Sequence, residues 1–174
     1  MSTGDVTTAL TLVIPNEFHE KINEKRSLYD RAYPRWMPHI NFIFPFVPKS
    51  QFSIIKQKLE TELSVIGKFT IKLNKIGYFA QGKNITMHIK SSNTESLSGL
   101  FALIQAALPD IPVKHDKFSP HVTLGQFKKS ELAERTRELE EWLGDGIDIV
   151  VDAVSLISRE GNAPFVVIDR VQLF

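Results

Sequence analysis

The sequence has no cysteine among its 174 residues. Disulfides, thiol nucleophiles and cysteine-based zinc sites are therefore excluded. Charge of one sign is also missing. The formal net charge is +1, so the global field of a non-specific nucleic-acid binder is absent and only a local basic patch stays open. No apolar run approaches the roughly 18 residues of a membrane span. Met1 to Asp5 is small and polar, with no basic stretch leading into an apolar one. No signal peptide is read there, and residues 1–5 are expected to form a flexible N-terminus. There is no low-complexity segment, no flexible linker and no nucleophile-elbow motif of a Ser-His-Asp hydrolase. The expectation is a cytoplasmic protein without membrane association, a nuclear location remaining open.

What is present begins with 43% hydrophobic residues, the usual content of a packed globular protein. The length suits one domain, 1–174, or two small lobes sharing a core.

Two short stretches stand out. Pro38-His39-Ile40-Asn41-Phe42 and Pro120-His121-Val122-Thr123-Leu124 each start a strand with histidine and place a short polar side chain two positions on. Strand side chains alternate, so His39 shares a face with Asn41 and His121 shares one with Thr123. Two such strands side by side would line one groove with two imidazoles and two hydrogen-bonding groups.

The rest of the chain reads as their scaffold. Residues 8–14 form a strand, and Asn16 is placed to cap a helix to about Asp30, with His19 on its exposed side. Tyr33 to Pro38 is a proline-stiffened connector, and 39–44 is the second strand. Ser50 caps a helix carrying Phe52, Ile55, Leu59, Leu63 and Ile66, stopped by Gly67. A strand over 69–73 is expected to continue through Ile76 to Phe79; a turn at 81–84 leads into a strand over 85–89. Ser92 and Glu95 are spaced as a capping box for a third helix, Ser130 caps a fourth, and Gly144 ends it. The strands 147–158 and 164–173 close the chain. Helix, proline-rich approach, Pro-His strand, helix, strand, turn and strand thus occur twice. Ile76-Gly77-Tyr78-Phe79 matches Val154-Ser155-Leu156-Ile157 as the lead-in to each turn. The repeat predicts an α+β, bilobal, duplicated fold about a pseudo-two-fold axis, with two antiparallel-rich sheets forming a central groove and helices outside.

Histidine exchanges protons near neutrality. Two in one groove can divide acid and base work across an in-line displacement at phosphorus. Thr123 and Asn41 can donate to the phosphoryl oxygens. A zinc site from His39, His121 and His88 or His115 is a weaker reading, since no acidic or third ligand is evident. Trp36 and Phe118 both lie three residues before a signature histidine, and with Tyr33 they are candidates to flank a base, or else to pack the lobe edges. Arg35, Lys114, Lys117 and Arg159 are candidate phosphate or RNA-backbone contacts, and His115 a candidate accessory group. His88 reads as structural or groove-lining.

The two motifs resemble those of the 2H phosphoesterases, in the 2'-5' RNA ligase-like branch, over about residues 6 to 174. That family carries two His-x-Thr/Ser-x motifs, one per lobe. The resemblance implies hydrolysis or transesterification of 2',3'-cyclic phosphates or 2'-5' phosphodiesters of nucleotides or RNA ends. It implies no metal and no cofactor, with His39 and His121 as the acid/base pair. For 2',3'-cyclic phosphates it implies a 2'-phosphate product. Asn41 departs from the motif and keeps a nucleotide- or RNA-binding module with little turnover as the alternative; a scaffold with a vestigial site is the third reading. The internal pseudo-symmetry makes a monomer the expected state.

Overall fold

A computed structural model of the protein describes residues 4–114 and 117–174. The chain runs β1 (Thr8–Val13), α1 (His19–Tyr29), β2 (His39–Ile43), α2 (Phe52–Leu63), β3 (Phe69–Leu73), β4 (Lys75–Gln81), β5 (Asn84–Lys90), α3 (Glu95–Ala107), β6 (Val122–Lys128), α4 (Leu132–Leu143), β7 (Ile147–Val151), β8 (Ala153–Ser158) and β9 (Val166–Gln172). Every strand pairing is antiparallel, in sheets ordered β2-β1-β8-β9, β4-β5-β6 and β3-β7. Among the described residues no helix is long and apolar enough to cross a membrane.

The orders β2-β1-β8 and β6-β5-β4 are topologically equivalent, with a signature strand at the edge of each sheet. The equivalence is built by exchange. The first half of the chain sends α1 onto β6 and β4 into the second sheet; the second half returns β8 to the first sheet and packs α3 against α2. The edge strands β2 and β6 meet between the lobes. One hydrophobic cluster runs through both, from Leu10 and Phe42 to Met87, Leu124 and Leu139.

Apolar periodicity accounts for the helix faces. Phe52, Ile55, Leu59 and Leu63 are buried on α2, and Leu97, Leu100, Phe101 and Ile104 on α3. The caps differ from expectation. Neither Asn16 nor Ser50 caps a helix, because 3₁₀ turns at Asn16–Phe18 and Lys49–Gln51 lead in from Pro15 and Pro48. Their i→i−3 bonds, Phe18 to Pro15 and Gln51 to Pro48, take up donors a side chain would otherwise satisfy. Before α3 it is Asn93 Oδ1 that accepts from the Glu95 N–H at 3.1 Å, while Ser92 Oγ accepts from Asn74 Nδ2. Before α4 Glu131 accepts from the Lys128 N–H at 2.9 Å, so Ser130 is not the cap. The helix α2 ends at Leu63, before Gly67, whereas Gly144 does end α4 at φ +61°. Asp5, read with the flexible tail, bridges Phe46.

Two expected long strands each divide at one residue. Asn74 separates β3 from β4 and Asp152 separates β7 from β8, and in both cases the two pieces belong to different sheets. The β3-β7 pair uses the freed pieces to join the lobes at the end of the fold. Between β4 and β5, Gln81 pairs with Asn84, leaving Gly82 (φ +64°) and Lys83 as a two-residue loop that requires a left-handed first residue.

Gly125 sets the distance of α1 from β6. A Cβ there would lie 2.8 Å from the Tyr29 carbonyl oxygen. Gly125→Ala should therefore destabilise the fold by about 1–3 kcal/mol through overpacking. Urea unfolding measures this; an unchanged midpoint would show that the helix yields without cost.

Candidate functional site

His39 opens β2 and His121 directly precedes β6, each behind a buried proline. Ile40 and Phe42, like Val122 and Leu124, point into the core, so His39 and Asn41, and His121 and Thr123, share the groove-facing side as the alternation requires. The two imidazoles are held alike. His39 Nδ1 lies 2.7 Å from the Met37 carbonyl, and His121 Nδ1 lies 2.7 Å from the Ser119 carbonyl. A carbonyl can only accept, so each Nδ1 carries the hydrogen and donates it. Each Nε2 is thereby left with a lone pair, available to take a proton or to hold one and donate it. A cleft of about 220 Å³ lies beside His39, lined by Arg26, Asp30, Trp36, Thr86, Val122, Thr123 and Gln126 among others; His121 is not part of its lining.

Behind His39 the support is a stack and a buried ion pair. Trp36 lies on the imidazole at 4.5 Å between centroids, 20° from parallel. Its other neighbours are Phe165 at 4.0 Å and the edge of Phe44 at 4.9 Å. The Trp36 carbonyl accepts from Arg26 Nη2 at 2.8 Å. Arg26 Nε pairs with Asp30 Oδ2 at 3.0 Å, with side chains only 2% and 1% exposed. Asp30 Oδ1 accepts from Gln126 Nε2 of β6 at 3.1 Å, and Gln126 Oε1 from the Arg31 N–H at 2.9 Å. The ion pair thus ties α1, the connector under His39 and the second signature strand together. Burial pushes the His39 imidazole down to about 4, the bond to Met37 opposes this, and the charges of Arg26 and His121 push it further down.

Behind His121 the support is different. His121, His88 and Phe79 form a mutual ring cluster with centroids 4.6–4.9 Å apart. His88 is 3% exposed, and its Nδ1 is buried with no hydrogen-bond partner. Burial lowers its imidazole to about 3, and burial also lowers His121, against the bond to Ser119. Among the described residues no group of three metal-ligating side chains is assembled.

The remaining expectations divide. Trp36 serves the histidine as a stacking support. Phe118, at the same spacing from His121, instead stacks on Phe101 at 4.3 Å and Phe42 at 5.9 Å, so it packs the core between the lobes. Lys114 lines a separate cleft with Pro45, Pro48, Pro109 and Pro112, away from both histidines. Lys117 lines a cleft that contains His88 and Ser119, on the His121 side. Tyr33 is exposed, with its ring 5.8 Å from the Arg26 guanidinium carbon. Arg35 bonds the Arg31 carbonyl at 3.2 Å. Arg159 rests 5.4 Å over Phe165, beyond Trp36, with Nε and Nη1 buried and unpartnered. His19 is not a solvated surface residue; it bonds the Ile14 carbonyl at 2.6 Å and fixes the turn after β1. His115 lies outside the described residues. Sequence reasoning missed Arg26, Asp30 and Gln126. The signal available was Arg26 four residues after Ile22, a charge on the apolar face of α1.

Fold and geometry together define a bilobal protein whose two signature histidines are held by equivalent bonds at the starts of two sheet-edge strands. The family model described as the 2'-5' RNA ligase superfamily matches residues 14–163. A relative from Staphylococcus haemolyticus (strain JCSC1435), bearing the name "Putative phosphoesterase", is 26% identical over 166 residues, 94% of this chain and 97% of its own length. Another of that name from Bacillus cereus (strain B4264) is 30% identical over 124 residues, 66% of this chain and 67% of its own. Among solved structures, E. coli LigT complexed with 3'-AMP matches with a TM-score of 0.65 at 16% identity, over 96% of this chain and 97% of that one. LigT has also been crystallised with ATP and with phosphate. The chain belongs to the 2'-5' RNA ligase superfamily.

Two predictions come from this geometry. Arg26→Leu strands a buried carboxylate and should cost about 3–5 kcal/mol in chemical denaturation; a loss below about 1 kcal/mol would show that the pair is solvated. The pH dependence follows from imidazoles that are neutral when folded. Between the folded values, about 4 for His39 and about 3 for His88, and the unfolded value of 6.5, the unfolded chain binds more protons. Stability is thus complete above that unfolded value and falls as pH drops through it. Urea midpoints at pH 7 and pH 5 should show the loss, and His88→Asn should reduce it; an equal loss in the variant would mean His88 does not contribute.

Proposed function

We propose that this protein is a metal-independent phosphoesterase acting on a 2',3'-cyclic phosphate or a 2'-5' phosphodiester of a nucleotide or RNA end. One observation carries the reading: both histidines fix the same tautomer through the same local bond, leaving two Nε2 atoms with interchangeable proton roles. In hydrolysis, the neutral imidazole takes a proton from water as the water oxygen bonds to phosphorus. The protonated imidazole gives its proton to the ribose oxygen as the phosphorus–oxygen bond to it breaks. The product has one new hydroxyl and a phosphomonoester, and the pair ends with its protonation reversed. The Thr123 hydroxyl and Asn41 amide donate to the phosphoryl oxygens, and the imidazolium adds a charge-assisted bond.

The lowered values of both imidazoles mean that the free pair is uncharged at neutral pH. A phosphate anion reverses the balance, so binding of the substrate draws the required proton from solvent onto one imidazole. Burial is the main cause that holds His39 low, and the charges of Arg26 and Asp30 act on it in opposite directions.

The alternative, a nucleotide-binding module with little turnover, rests on Asn41, whose Oδ1 is buried without a partner where the family motif has a hydroxyl. Turnover separates the two readings. Purified protein with excess chelator should open nucleoside 2',3'-cyclic phosphates or cleave 2'-5' linked oligonucleotides. His39→Ala or His121→Ala should each lower kcat by about 10²–10⁴-fold. Saturable binding without product favours the module, and full activity in both variants removes the two-histidine mechanism. Calorimetry of a nucleoside 3'-phosphate in buffers of different ionisation heat should show proton uptake at pH 7; binding with no proton linkage contradicts the charging of the pair.

A further inference from the structure

The groove face of the β4-β5-β6 sheet does not stop at the histidines. Strand alternation and register place Thr123 beside His88, His88 opposite Gly77, Thr86 opposite Phe79, and Lys90 opposite Lys75 on one continuous face. A cleft of about 500 Å³ lies over it, lined by Lys75, Phe79, His88, Lys90, Lys117 and Ser119 among others. Ser119 is the residue whose carbonyl orients His121. The cleft is therefore continuous with the support of one proposed catalytic group and separate from the 220 Å³ cleft beside His39.

Its charge is unusual. Lys75 and Lys90 are directly opposed cross-strand neighbours, an arrangement that repels. Among the described residues neither they nor Lys117 form an ion pair with a carboxylate. The Lys90 stem crosses Gly77 beside His88. A Cβ at Gly77 would come within 3.1 Å of Lys90 Cε and 2.7 Å of His88 Nε2, so glycine there leaves the space that lets the lysine lie close to the imidazole. Phe79 closes the cleft toward His121 and keeps 38% of its surface exposed, a flank on which a base can stack. Clustered unpaired cations beside an exposed aromatic ring suit a sugar-phosphate chain.

Building on the phosphoesterase reading, we propose that this cleft holds the nucleotide adjoining the scissile phosphate, with its own phosphodiester on Lys75, Lys90 and Lys117 and its base against Phe79. The substrate class is then the end of an oligoribonucleotide rather than a free mononucleotide.

The test is fluorescence anisotropy with a labelled tetraribonucleotide bearing a 3'-phosphate, competed by the matching mononucleoside 3'-phosphate, in wild type and in Lys75→Ala/Lys90→Ala. The wild type should prefer the oligonucleotide, and its affinity for it should fall more steeply with salt than that for the mononucleotide, at about 0.7 per phosphate neutralised. The double variant should lose about tenfold or more of the preference, and Lys75→Arg/Lys90→Arg should retain most of it. Equal wild-type affinities and equal salt slopes for the two ligands overturn the proposal, whatever the variants do. An equal loss for both ligands in the double variant also overturns it. Oligonucleotide preference in a protein that turns over no substrate would support the cleft while removing the phosphoesterase reading.

Discussion

The bond from an imidazole Nδ1 to the carbonyl two residues earlier is the constraint around which this structure is arranged. It needs a strand that starts at the histidine and a backbone that bends just before it. The prolines at 38 and 120 help to provide that bend by restricting the residue ahead of them. It also needs a sheet edge, because the turned-back carbonyl and the ring must lie beside a space and not under another strand. The edge positions of β2 and β6 satisfy this on both sides of the groove. The lobe exchange then has a physical purpose. With α1 of the first half laid on β6 and β8 of the second half in the sheet of β2, neither histidine can shift without disturbing elements from both halves.

The two-fold equivalence ends at the backbone. His39 rests on the Trp36 indole, with the Trp36 backbone carbonyl accepting from a buried guanidinium, and His121 rests against another histidine and a phenylalanine. These surroundings make different demands. A buried Arg-Asp pair is costly to desolvate and is stable only because Asn23, the Trp36 carbonyl, the Ala32 N–H and Gln126 complete its hydrogen bonds. His88 has no such network, and a neutral ring is the form of it that this apolar contact tolerates. Equal positions therefore carry unequal electrostatic surroundings. A perfectly symmetric pair would leave the direction of proton transfer to the substrate alone.

Much of this was legible in the residues. The alternation in His39-Ile40-Asn41-Phe42 and His121-Val122-Thr123-Leu124 states which side chains share the groove, and the helical periods over 52–63 and 97–104 state which faces are buried. What escaped depends on partners distant in sequence. Trp36 and Phe118 have the same spacing from their histidines, yet one supports imidazole and the other fills the interlobe core, because Phe42 and Phe101 meet Phe118 while Phe44 and Phe165 meet Trp36. The divisions at Asn74 and Asp152 follow from two lobes competing for one extended segment, which no local propensity records. Helix entry through 3₁₀ turns displaced the expected caps for a similar reason: backbone bonds had already satisfied the donors.

The asymmetry extends to the two clefts. On the His39 side a guanidinium is spent internally on Asp30, and the cleft there is small. On the His121 side the lysines opposite one another across β4 and β5 have no internal carboxylate, and their repulsion is relieved only by solvent, salt or a bound anion. If the proposed cleft is the subsite of the neighbouring nucleotide, a polyanion running along the β4-β5-β6 face would reach His121 past these lysines, whereas the guanidinium lining the cleft beside His39 is already held by Asp30.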